Sequence, residues 1–241
     1  MQLEIVKDYD ALSKKAAYIL ASQIILKPKS VLGLATGSTP IGTYNELIHM
    51  YKNGIINFSG ITTFNLDEYY GLNVNDKQSY HYFMEQHLFN NIDIKKENIH
   101  IPNGKANNMD VECQQYENSI KEAGGIDLQL LGIGQNGHIG FNEPNEKFEA
   151  LTHLVNLDTD TIEANARFFD SIDKVPTQAI SMGIKTIMQS NKILLLASGE
   201  NKAEAVYKMI KGNITPELPA SVLQLHSDVV VIVDEAAATL L

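Results

Sequence analysis

The chain has 241 residues, 44% of them apolar and 20% charged, and a formal net charge of −10. That length can bury a substantial core, and the composition is that of a soluble globular protein. The acidity argues against a general nucleic-acid binder, whose phosphate contacts need basic surface, but not against a small phosphorylated ligand held by a few local donors.

The first residues, Met1 to Asp8, offer neither a basic n-region nor a long apolar h-region, and no run reaches membrane-spanning length. Apolar residues at helical spacing (Leu12, Ala16, Ile19, Leu20) predict a helix over 9–27, stopped by Pro28. A short buried strand over 31–35 runs through Thr36-Gly37-Ser38-Thr39 into Pro40, which suits the first position of a helix reaching residue 54. A strand, a small-residue turn and a helix start place free N–H groups and hydroxyls where an anion is favoured, so Ala35, Thr36, Gly37, Ser38 and Thr39 are candidate binding residues. The competing reading is a helix merely capped by Ser38 or Thr39. No lysine of the G-x-x-x-x-G-K-[ST] kind follows, which argues against a nucleotide triphosphate.

A second strand, over 61–66, ends at Asp67-Glu68. Consecutive strand residues point to opposite faces, so one carboxylate should face the cleft while the other supports the fold. Helices are predicted over 79–89 and 111–122, separated by a loop through Pro102-Asn103-Gly104. The second helix carries Cys113, the single cysteine. It excludes an intramolecular disulfide, fits a reducing, cytoplasmic compartment and has no cationic neighbour to favour a thiolate.

The apolar run over 126–131 then empties into Gly132-Ile133-Gly134-Gln135-Asn136-Gly137-His138-Ile139-Gly140-Phe141-Asn142-Glu143-Pro144. A strand end that delivers a histidine and a carboxylate onto a glycine-rich floor is where open α/β sheets place their chemistry. Gly132, Gly134 and Gly137 also satisfy G-x-G-x-x-G. A dinucleotide site would need a helix opening at the third glycine, and Pro144 follows too soon for one, so that reading is rejected. Beyond lie a polar stretch over 145–176, a helix over 177–188, a strand over 193–197, a helix over 202–210 and a last strand over 229–233. Arg167 and Lys202 are candidates to complete the anion site. The remaining histidines show no metal-ligand spacing, and no metal is assigned. Apolar strands alternating with amphipathic helices argue one α/β domain spanning 1–241, a mostly parallel sheet with helices on both faces.

Leu34-Ala35-Thr36-Gly37-Ser38-Thr39-Pro40, Asn65-Leu66-Asp67-Glu68-Tyr69, the glycine–histidine run and Ala164-Asn165-Ala166-Arg167-Phe168-Phe169 stand in the order of the glucosamine-6-phosphate deaminases, which this chain resembles through Leu223-Gln224-Leu225-His226. The resemblance implies a Rossmann-like sheet, no organic cofactor, and conversion of glucosamine 6-phosphate and water to fructose 6-phosphate and ammonia. It implies that His138 opens the pyranose ring, with Glu143 and Asn136 orienting the imidazole, and that Asp67 moves the C2 proton to C1. The 35–39 turn, Gly137, Arg167 and Lys202 would bind substrate and its phosphate, and the stretch near 151–173 would form a lid. Oligomeric state stays open.

Two departures are visible. Many members of that family carry aspartate where this chain has Asn136, which leaves Glu143 as the only carboxylate beside the histidine. Allosteric members carry basic residues where His153 and Val155 stand here, and a longer C-terminal segment, so hyperbolic kinetics without activation by N-acetylglucosamine 6-phosphate are expected. Two alternatives on the same fold are a 6-phosphogluconolactonase-like hydrolase, with less need of Asp67 as a carbon base, and a non-catalytic sugar-phosphate sensor. A sensor would be expected to carry a preceding helix-turn-helix, which the sequence does not contain.

Overall fold

A computed structural model describes residues 1–241, the side chain of Phe168 apart. In chain order its first elements are β1 (Gln2–Val6), α1 (Tyr9–Leu26), β2 (Val31–Leu34), α2 (Ile41–Lys52), β3 (Thr62–Asn65), β4 (Asp67–Tyr69) and α3 (Tyr80–His87). Then come β5 (Ile99–His100), α4 (Met109–Glu122), β6 (Leu128–Gly132), β7 (His153–Asn156), α5 (Thr159–Asn165) and β8 (Gln178–Ser181). The last are α6 (Ile184–Met188), β9 (Lys192–Ala197), α7 (Ala203–Lys211) and β10 (Val229–Asp234).

Seven strands form one parallel sheet in the order β1-β10-β9-β6-β2-β3-β5. Its centre is built from fully buried runs, Ile193 to Ala197 and Val229–Asp234 above all. Strands covered on both faces read as continuous apolar segments in this way. Leu12, Ala16, Ala17 and Leu20 of α1 and Val206 and Met209 of α7 join the same core. Local signals set the helix starts. Asp8, Ser79, Asn108 and Asp158 each accept a first-turn N–H, at α1, α3, α4 and α5. Among the described residues no helix is long and apolar enough to cross a membrane.

The sheet changes direction between β2 and β6: from β2 the order runs to β3 and β5, from β6 to β9, β10 and β1. In open α/β sheets the crevice outside the carboxyl ends at such a point is the ligand site. Here the loops that leave β2 and β6 flank it, and they are the two motifs singled out in the sequence.

A second sheet, β4-β8-β7, is antiparallel and was not foreseen. It hangs from the first through Leu66, whose N–H donates to Leu34 O and whose carbonyl accepts the Met182 N–H. The helix predicted over 177–188 is instead β8 followed by the short α6. Ala179, Ile180 and Ser181 are buried on both faces, so the apolar spacing carried no strand period, and extended Gly183 separates the two elements. The 145–176 stretch is likewise not a plain connection, since it holds β7 and α5. A small aromatic core of Tyr69, Phe141, Tyr80 and Phe169 packs between the second sheet and this segment.

Candidate active site

The β2–α2 turn is shaped by two tyrosines. Tyr44 donates from its hydroxyl to the Ala35 carbonyl, while the Tyr9 hydroxyl lies 3.0 Å from the carbonyls of both Ser38 and Thr39 and accepts the Gly42 N–H. Gly37 adopts φ +97° within the turn. Pro40 is not the first helical residue but the one before it, and α2 has no side-chain cap, which removes the reading of Ser38 or Thr39 as a cap. Instead Arg167 Nη2 reaches Ser38 Oγ at 3.4 Å across 129 residues of chain. Phe169, two residues on, packs edge-on against Tyr69 and anchors that segment.

Lys202 closes the group. Its position follows from Asp234, which accepts the Ser198 hydroxyl and the Gly199 N–H and so fixes the loop after β9. Burial, with the Arg167 charge added, lowers the Lys202 ammonium to about 8. Two cations are thus gathered at a helix start in an acidic protein, an arrangement that an anion would relieve.

The loop after β6 turns back on itself: Gly134 N–H donates to His138 O, and Gly137 N–H to Gly134 O. No helix opens at Gly137, in keeping with the rejected dinucleotide reading. A Cβ on Gly134 would lie 2.3 Å from the His138 ring, so glycine there lets the imidazole lie over the turn. Gly137, at φ +86°, meets Leu218 equally closely and offers its carbonyl to Ala220 N–H.

His138 Nδ1 stands 3.3 Å from Glu143 Oε2. Asn136 does not touch the ring. Its Oδ1 accepts the His138 backbone N–H, and its Nδ2 donates to Glu143 Oε2 at 3.0 Å. Asn136 therefore reaches the imidazole through the carboxylate and the backbone. Burial pushes the Glu143 carboxyl up. The hydrogen bond and charge of His138, with hydrogen bonds from Thr161 and Asn136, outweigh it and hold the group below the usual range. Thr161, on α5, was missed: nothing in a polar stretch distinguishes it, and only the fold carries it to this cluster.

Asp67 and Glu68 make different contacts. Glu68 is buried in the fold and accepts the N–H groups of Tyr69, Tyr80 and His81 together with His81 Nδ1–H, tying β4 to the start of α3. Asp67 is also buried, its Oδ1 finds no partner among the described residues, and its Oδ2 would lie 3.7 Å from a Cβ at Gly140. Burial, with the Glu68 charge added, pushes its carboxyl up to about 8. Tyr80, at the start of α3, packs its ring against Tyr69 of β4, centroids 4.9 Å apart.

Residues 8–232 match the family described as glucosamine-6-phosphate isomerases/6-phosphogluconolactonase. The chain belongs to that family. Among its relatives in the family, the glucosamine-6-phosphate deaminase of Clostridium botulinum (strain Langeland) is 62% identical over 239 residues, 99% of this chain and 98% of that protein. The Clostridium acetobutylicum enzyme of the same name is 61% identical over the whole of both chains. A solved monomeric glucosamine-6-phosphate deaminase superposes with a TM-score of 0.98 at 51% identity, covering 100% of each chain. The 6-phosphogluconolactonase of Thermotoga maritima reaches 0.78 at 21% identity over 97% of this chain and 99% of that one, a likeness of fold alone. The Rossmann-like, mostly parallel single-domain architecture expected from the sequence is the family's fold.

Proposed function

We infer that this chain is a glucosamine-6-phosphate deaminase. One observation carries the reading: in a chain 62% identical to a deaminase over 99% of its length, a buried carboxylate after β3, a histidine–carboxylate pair after β6 and Lys202 after β9 lie on the loops at the carboxyl ends of the central strands, where Arg167 reaches the β2–α2 turn. The reaction is a hydrolytic deamination. Ser38 Oγ, the N–H groups of the 35–39 turn, Arg167 and Lys202 hold the phosphate, and Gly137 lets the backbone approach the sugar. His138 takes the proton of the anomeric hydroxyl and returns it to the ring oxygen as the ring C–O bond breaks. Asp67 then removes the C2 proton of the open aldehyde and delivers it to C1, while a proton of the ammonium group passes to the C1 oxygen, leaving a C1 hydroxymethyl group and a C2 iminium. Water adds to that iminium, and ammonia leaves as the ketone forms. The stretch near 151–173, which supplies Thr161 and Arg167, serves as the lid. A reducing, cytoplasmic setting is supported by the single cysteine, Cys113, which can form no intramolecular disulfide.

The deciding assay is ammonia release from glucosamine 6-phosphate set against hydrolysis of 6-phosphogluconolactone. Turnover of the lactone alone would replace this reading with the hydrolase. His138→Gln is expected to slow the cyclic substrate by about 10²–10⁴-fold and an open-chain analogue far less, since only the cyclic form needs proton transfer to the ring oxygen. Equal losses on both would assign His138 to another step.

A further inference from the structure

The bond that should fix the His138 ring is long. A charge-assisted N–H to carboxylate contact closes to about 2.7–2.9 Å, whereas His138 Nδ1 and Glu143 Oε2 stand 3.3 Å apart. Asn136 takes up part of the same oxygen from the other side. The Thr161 hydroxyl, from α5, lies 3.4 Å from His138 Nδ1, beside the Glu143 carboxylate, whose Oε1 is buried and finds no hydrogen-bond partner among the described residues. Thr161 is buried and belongs to no ladder of the second sheet. A hydroxyl is both donor and acceptor, so one group can accept from Nδ1–H while donating to the carboxylate.

We propose that Thr161 is a positioning residue for ring opening: its hydroxyl bridges His138 and Glu143, holds the imidazole in the Nδ1–H tautomer and leaves Nε2 free to exchange the substrate's proton. The inference rests on the deaminase reading. It also places the ring-opening geometry on the same segment that carries Arg167, so the two ends of the substrate are served by one element. The other charged groups near Glu143 are Lys147, Glu149, His153 and Asp158, which line a cavity of about 420 Å³ beside it. Among the described residues, the side-chain partners of the His138 ring are Glu143 and Thr161, which leaves the bridge to Thr161.

The test is Thr161→Val, which keeps the shape and removes the hydroxyl, with Thr161→Ser restoring the hydroxyl alone. Thr161→Val is expected to lower kcat on glucosamine 6-phosphate about tenfold with KM within about twofold, the loss of one buried hydrogen bond made where the chemistry occurs. In ¹⁵N-histidine-labelled protein, the His138 nitrogens should report Nδ1–H in the parent and a tautomer mixture in Thr161→Val. Thr161→Ser should recover most of both. A Thr161→Val enzyme with the parent's kcat and nitrogen signature would overturn the inference. So would a Thr161→Ser enzyme as impaired as the valine variant, which would trace the loss to packing. A parent protein that releases no ammonia from glucosamine 6-phosphate would instead withdraw the functional reading, and the inference with it.

Discussion

Asp67→Asn is expected to lower kcat on glucosamine 6-phosphate by about 10²–10⁴-fold while KM stays within a few-fold, because a carbon base acts in the transition state and not in substrate capture. The same change should stabilise the fold. Burial and the neighbouring Glu68 charge raise the Asp67 carboxyl from 3.8 to about 8. Its folded-state value lies above its unfolded one, so its contribution is fully present below about 4 and is lost progressively as pH climbs toward about 8. At neutral pH the fold must either protonate this group or bury its charge. Asparagine does neither, and a gain of about 1 kcal/mol or more would raise Tm by about 2–4 °C in a chain of this size. Melting curves of both proteins at pH 4 and pH 7 test this: the gap should open at pH 7 and nearly close at pH 4. An equal gap at both values would show that Asp67 carries no such strain. Appreciable turnover by the variant would remove it as the base.

That expectation draws on a part of the structure only half legible in the sequence. The expectation that Asp67 and Glu68 divide their work followed from strand alternation. What each carboxylate meets did not, because β4 is a three-residue strand of a second sheet, too short to show a period. Its partner β8 is buried on both faces and mimics a helix in apolar spacing, and β7 is an edge strand with a weak pattern. The main sheet was far more readable. Strands such as Val229–Asp234 are continuous apolar runs bounded by polar turns, and the glycine–histidine loop keeps its chemistry within thirteen consecutive residues, 132–144.

Contacts between distant segments lie beyond such reading. Nothing in spacing brings Arg167 to Ser38 or Thr161 to His138; likeness to a family suggested the first pair, and nothing suggested the second. Nor does spacing give the route by which Asn136 acts: with Gly137 at φ +86° between it and His138, its carboxamide donates to Glu143 and accepts the His138 backbone N–H. An asparagine in that place still donates to the carboxylate that pairs with the histidine, so the loss of an aspartate there changes the charge of the cluster without leaving Glu143 unsupported.

The phosphate cradle yields the other large effect. Arg167→Ala and Lys202→Ala should each raise KM for glucosamine 6-phosphate on the order of 100-fold, since a hydrogen bond to a charged group contributes roughly 1.5–3 kcal/mol, with kcat falling less. Unphosphorylated glucosamine should be a poor substrate for the parent and both variants. The pH dependence separates the two cations. Lys202 loses its charge above about 8, because burial and the Arg167 charge both favour the neutral amine. KM of the parent should therefore rise as pH climbs through that value, while Lys202→Arg, which stays charged throughout, should lack the inflection. In Arg167→Ala the repulsion is gone, so the inflection should move to higher pH even as overall affinity falls. Steady-state KM measured from pH 6.5 to 9.5 on the three proteins resolves these outcomes. An inflection that persists unchanged in Lys202→Arg would assign it to another group, and ready turnover of glucosamine would mean that these two cations do not hold a phosphate at all.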